Sequence, residues 1–172
     1  SPVINVSNQT ATISVPVAGT AGLTKIGNGT LAFMATNIYT GVNTILAGTV
    51  TYDGASAYTN TSNSAYVISN GVVNINTTGT LVISNQVTLG GLDSNGNASN
   101  GSAAVNQSSG TFIADANGGI YLQLGSGLNA YGCYNLSGGT LSIPNQSGMR
   151  IGATGTGVLL QSGGTLNCSR YF

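Results

Sequence analysis

The sequence predicts an all-β solenoid, one small structural unit stacked on itself, on three observations. Gly-Thr followed by an apolar residue returns as Gly29-Thr30-Leu31, Gly48-Thr49-Val50, Gly79-Thr80-Leu81, Gly110-Thr111-Phe112, Gly139-Thr140-Leu141 and Gly164-Thr165-Leu166. Such self-similarity marks a repeat architecture. Short stretches alternate apolar with polar residues, as in Thr80-Leu81-Val82-Ile83-Ser84, whereas no segment shows a convincing helical period. Charged residues make up 3% of the chain, against roughly 25% in average soluble proteins.

Residues 1–20 read differently from the rest. Ile13, Val15 and Val17 alternate with Thr12, Ser14 and Pro16, the pattern of a strand with one apolar face. Pro16 cannot donate to a ladder, which places this strand at an edge or partly outside the sheet. Residues 1–20 are therefore expected as a separate N-terminal strand or arm, and 21–172 as a solenoid of irregular coils.

From Gly22 onward the units follow at intervals of 19 to 31 residues, which suits coils with loops of variable length. Leu81 and Ile83, like Leu141 and Ile143, should point inward. The last third aligns with itself. Val105 to Phe112 matches Tyr134 to Leu141 and Leu159 to Leu166. An apolar-x-apolar-Gly unit recurs as Val87-Thr88-Leu89-Gly90, Leu122-Gln123-Leu124-Gly125 and Met149-Arg150-Ile151-Gly152. Each coil thus carries at least two strands joined by a glycine corner. The polar stretch from Gly90 to Ala104 should protrude.

The segment Gly22-Leu23-Thr24-Lys25-Ile26-Gly27-Asn28-Gly29-Thr30-Leu31 continues through Asn37-Ile38-Tyr39-Thr40-Gly41 to Gly48-Thr49-Val50. It resembles the autotransporter-associated β-strand repeat, whose pattern is Gly-Leu-x-Lys-x-Gly-x-Gly-Thr-Leu, then Asn-x-Tyr-x-Gly, then Gly-Thr-Leu. The later Ser-Gly-Gly-Thr-Leu units resemble, more loosely, bacterial surface β-helix proteins. The resemblance implies a right-handed parallel β-helix exported to the cell surface, with no catalytic residues.

The composition argues against several functions. Without His there is no Ser-His-Asp or Cys-His arrangement. The acids are Asp53, Asp93 and Asp115; Asp53 and Asp115 read as turn residues, and no paired carboxylate is expected. Asp93-Ser94-Asn95-Gly96-Asn97 has alternate oxygen ligands, but Ala98 stands where a calcium loop requires Gly and no Glu closes it. No metal and no cofactor are expected. Lys25, Arg150 and Arg170 are the only basic residues, too few for a nucleic-acid footprint. No apolar run approaches the ~20 residues that span a bilayer.

Cys133 and Cys168 would either form one disulfide in an oxidising compartment or sit as two small buried side chains. Tyrosines at 39, 52, 58, 66, 121, 131 and 134 could stack sugars if aligned outside, or serve as core and ladder residues. The chain starts at Ser1-Pro2, as a mature product freed of its leader would, and as a fragment would.

The resulting expectation is a secreted, non-enzymatic structural subunit, extracellular or at the cell surface, whose partner is itself. A solenoid has two open ends, and stacking or strand donation would satisfy them. Val3, Ile4, Val6, Ile13, Val15 and Val17 would form the intersubunit strand, with Tyr171 and Phe172 packing on the neighbour. A contact of this kind that does not close yields a filament. The second reading is a monomeric adhesin segment that binds surface glycans or matrix. The third is a polysaccharide-active β-helix enzyme, which requires acids or bases gathered in one groove.

Overall fold

A computed structural model of the 172-residue chain describes residues 1–60, 64–91, 100–115, 119–145 and 147–170, with backbone alone for residues 119–121. Among these residues every regular element is a β-strand. Coil 1 comprises β1 (Val3–Asn5), β2 (Thr10–Ile13) and β3 (Ala18–Gly19). Coil 2 has β4 (Leu23–Ile26), β5 (Thr30–Phe33) and β6 (Ile38–Tyr39), and coil 3 has β7 (Asn43–Ile45), β8 (Thr49–Tyr52) and β9 (Tyr58–Asn60). Coil 4 has β10 (Tyr66–Ile68), β11 (Gly71–Ile75) and β12 (Thr80–Ile83). Coil 5 has β13 (Val87–Leu89), β14 (Ser102–Gln107) and β15 (Thr111–Ala114). Coil 6 has β16 (Gly119–Leu124), β17 (Tyr131–Leu136) and β18 (Thr140–Ile143). Coil 7 has β19 (Ser147–Ile151), β20 (Thr156–Gln161) and β21 (Thr165–Cys168).

Neighbouring strands in a sheet are three apart in sequence. The first sheet runs β1-β4-β7-β10-β13-β16-β19 and the second β2-β5-β8-β11-β14-β17-β20. The third runs from β9 through β12, β15 and β18 to β21, preceded by the β3-β6 pair and an Asn37–Tyr58 bridge. The strand pairings in these sheets are parallel, for example β1 with β4 and β17 with β20. A chain that meets itself every third strand circles three faces once per coil. The protein is a parallel β-solenoid.

Residues 1–20 are the first coil of this solenoid, which corrects the expectation of a separate arm. Val3 lies opposite Thr24, Thr10 opposite Thr30 and Ala18 opposite Ile38, so this coil enters all three faces in register. The strand expected through Val17 instead ends at Ile13, ahead of Pro16, whose missing N–H suits it to the corner before β3.

The alignments within the last third hold residue for residue. Val105, Tyr134 and Leu159 share one inward rank of the second sheet, and Thr111, Thr140 and Thr165 one outward rank of the third. The six Gly-Thr units do not share one face, however. Thr30 and Thr49 open strands of the second sheet, whereas Thr80, Thr111, Thr140 and Thr165 open strands of the third.

The core follows from the two-residue period of each strand. Leu31, Val50, Val73, Val105 and Tyr134 are stacked and buried along the second sheet. Leu81, Phe112 and Leu141 do the same along the third. The corners are set by glycine where the backbone leaves the region open to other residues. Gly139 has φ 73°, and a Cβ built on it would lie 2.3 Å from the Gly110 carbonyl oxygen one coil below.

Candidate functional site

Coils 1 and 7 each pair on one side only among the described residues. At coil 1 the interior opens as an apolar cavity of about 220 Å³, lined by Ile4, Ile13, Val17, Leu23, Phe33 and Tyr39 among others. At coil 7 Ile151, Leu159, Leu166 and Cys168 are half-buried against the core. The residues expected to form an intersubunit strand are thereby divided. Ile4, Ile13 and Val17 face the cavity, and Val6 is buried in the core. Val3 and Val15 are 58% and 66% exposed, on the outside of the wall. Tyr171 and Phe172 lie outside the described residues, as do Asp93 and most of the stretch expected to protrude between Gly90 and Ala104.

Cys133 and Cys168 are free thiols. Cys133 alternates outward between the buried Gly132 and Tyr134, while Cys168 packs against the core cluster and donates to the Arg170 carbonyl at 3.1 Å. The wall of the solenoid lies between the two side chains; of the two alternatives, a bridge or two small separate side chains, this arrangement has the second, with both half-buried.

Asp53 and Asp115 occupy different corners two coils apart. Asp53 accepts the Asn76 amide at 3.1 Å, and both Asp115 oxygens accept the Asn145 amide at 2.9 and 2.8 Å. Each serves as a link between neighbouring coils. Among the described residues no group of three His, Cys, Asp or Glu is placed to hold a metal, and no helix is long and apolar enough to cross a membrane.

Sequence reasoning missed the polar side chains inside the solenoid. Lys25 is fully buried, in the rank otherwise held by Ile4, Ile45, Ile68, Leu89, Leu124 and Ile151. Its ammonium donates to the carbonyls of Ile26 (2.9 Å), Gly27 (2.7 Å) and Ala47 (3.2 Å). Burial pushes its pKa below the ordinary lysine value. Gln107 plays the same part at the next corner. Its amide donates to the carbonyls of Ser109, Gly110 and Thr140, and its oxygen accepts the Tyr134 hydroxyl at 2.6 Å.

Five of the tyrosines are core residues. Tyr39, Tyr52, Tyr58, Tyr66 and Tyr134 are buried. Phe33 stacks on Tyr52 with centroids 5.5 Å apart, and Tyr52 and Tyr66 share a hydroxyl contact at 3.1 Å. Asn43 donates to the Tyr58 hydroxyl. Burial raises the pKa of all five above the ordinary tyrosine value, that of Tyr58 to about 12.

Tyr131 differs: it is 41% exposed on the outer face of the second sheet. Its charge interaction with the neighbouring Cys133 is the main cause that holds its hydroxyl above the ordinary value. Around it the outer face forms parallel ranks. Ser102, Tyr131 and Thr156 make the first, and Val72, Ala104, Cys133 and Val158 the second. Asn74, Asn106 and Asn135 make the third, with the Asn106 amide donating to the Asn74 oxygen at 3.0 Å. A groove runs between the first two, lined by Gly71, Val72, Ser102, Ala103, Ala104 and Tyr131. These ranks contain no ionisable group except the Tyr131 and Cys133 side chains.

Comparison with known proteins finds no matching family model, no matching curated protein and no matching solved structure.

Proposed function

We propose that this chain is a structural subunit of a secreted extracellular filament or surface layer, built by end-to-end stacking of solenoids. The observation that carries this reading is the match between the two ends. Coil 1 presents an apolar cavity lined by Ile4 and Ile13, and coil 7 presents Ile151 and Leu159 half-buried. Ile151 and Ile4 belong to the same inward rank, so a stacked copy would continue that rank and extend all three sheets by parallel pairing. A head-to-tail contact that does not close propagates. The near absence of charge supports the same reading, since little repulsion opposes assembly. Export to the cell surface, as in the autotransporter-repeat proteins the sequence resembles, is part of the proposal.

The test is electron microscopy and light scattering of the purified chain at rising concentration. Fibres with an axial repeat of about seven coils at ~4.8 Å each are expected. Ile13→Asp and Leu159→Asp, placed at opposite ends, should each abolish them. A chain that stays monomeric at high concentration overturns the reading. In that case the adhesin alternative stands, and the uncharged ranks on the second sheet are the observation in its favour.

A further inference from the structure

The outer face of the second sheet combines three features that bear on one ligand chemistry. The first is an exposed aromatic, Tyr131, forming the wall of a groove. A tyrosine here offers an apolar ring face and a polar tip. The second is the amide rank Asn74, Asn106 and Asn135, in register along the solenoid axis. Each side-chain amide carries two donors and an acceptor, and among the described residues the Asn106–Asn74 bond at 3.0 Å leaves much of that capacity open to solvent. Beyond it the exposed Asn76, Ser108 and Ser137 mark the edge of the platform, where Asn76 donates to the Asp53 carboxylate at 3.1 Å and accepts from Ser108 at 2.9 Å. The third is the absence of Lys, Arg, Asp and Glu from these ranks.

We propose that this face is a binding platform for a neutral, linear polysaccharide lying along the solenoid axis. The apolar C–H face of a sugar ring would pack on Tyr131 and the groove floor of Val72 and Ala104. Sugar hydroxyls, which both donate and accept, would pair with the neighbouring amides. The amide rank repeats over three coils at the coil spacing of ~4.8 Å, so a polymer lying along the axis meets an amide in each of them and the Tyr131 ring once. The missing charge selects the ligand: a carboxylated or sulfated polymer would lose hydration without gaining a counter-charge. The platform lies on the side of the solenoid, so the proposal does not depend on end-to-end assembly.

The test is affinity chromatography of the whole chain on columns carrying immobilised hydroxyethylcellulose, a neutral linear β-glucan, or alginate, an anionic polymer, read as retardation of elution. Retardation by hydroxyethylcellulose and none by alginate is expected. Tyr131→Ala should weaken the retardation about five- to tenfold, the effect of one aromatic contact, and Asn106→Ala should weaken it as well. Both side chains are exposed, and unchanged melting curves would confirm the fold. No retardation by hydroxyethylcellulose overturns the proposal, as does retardation that both variants leave intact. A side-to-side dimer that Tyr131→Ala dissolves, seen by light scattering, would assign the face to a second copy of the chain and also overturn it.

Discussion

The Lys25 ammonium donates to the Ala47 carbonyl at 3.2 Å, tying the corner of coil 2 to the corner of coil 3. The methylene stem fills an aliphatic rank while the head binds three corner carbonyls, of which that of Ile26 also accepts the Val6 N–H at 3.1 Å. A buried lysine without a carboxylate is costly, and here hydrogen bonds to oxygen dipoles supply the compensation.

Replacing Lys25 therefore has two separable costs. Lys25→Ala removes both stem and donors and should lower stability by ~3 kcal/mol. Lys25→Met keeps most of the stem volume and should cost roughly 1–2 kcal/mol, the desolvated carbonyls alone. Urea unfolding of the three proteins checks the order; equal losses for both variants would show that the donors carry nothing.

Buried tyrosines make the fold sensitive to alkali. Their pKa values are raised in the folded state, so above pH ~10 the unfolded chain releases protons that the folded chain keeps. Stability is then fully present below pH ~10 and falls as pH rises toward the folded values, about 12 for Tyr58. Each such tyrosine contributes a loss of roughly 1.4 kcal/mol per pH unit in that window. The lowered Lys25 pKa acts in the opposite direction below the ordinary lysine value, but five tyrosines outweigh one lysine. Melting temperature should drop steeply above pH ~10, with the tyrosinate absorbance of the five buried rings appearing at the unfolding transition and not before it.

Corner glycines differ in what they tolerate. At Gly139 a Cβ would meet the Gly110 oxygen at 2.3 Å, and the backbone is left-handed as well. At Gly54, with φ 62°, the nearest atom is the flexible Met34 Cε at 3.4 Å. Gly139→Ala should cost well over ~2 kcal/mol and Gly54→Ala only about 1, the conformational part by itself. Thermal unfolding of the two variants side by side distinguishes close coil contact from backbone strain.

The last coils were legible in the sequence because their corners repeat without interruption: Gly90, Gly125 and Gly152 follow equivalent strands, and each N–H bonds the strand residue one coil back. The first coil was not, because Gln9 stands before Thr10 where Gly29 stands before Thr30. The signature is missing although the pairing is present. The buried roles of Lys25 and Gln107 were equally hidden. Their neighbours in sequence alternate like any strand, and only the stacking of coils reveals that both side chains point inward. As for the outer platform, composition does not separate Tyr131 from the other tyrosines, and period-two alternation around the buried Gly132 and Tyr134 is the signal that sets it apart.

The change of face between Thr49 and Thr80 constrains how such a gene can grow or shrink. Unequal recombination between the Gly110-Thr111 and Gly139-Thr140 units deletes or duplicates one whole coil, and every downstream strand keeps its face. The same exchange between Gly48-Thr49 and Gly79-Thr80 would join a second-face corner to a third-face strand and misplace everything after it. Length variation among descendants of this sequence is therefore expected in whole coils within either series, Thr30 to Thr49 or Thr80 to Thr165, while the junction between the two series is inherited intact.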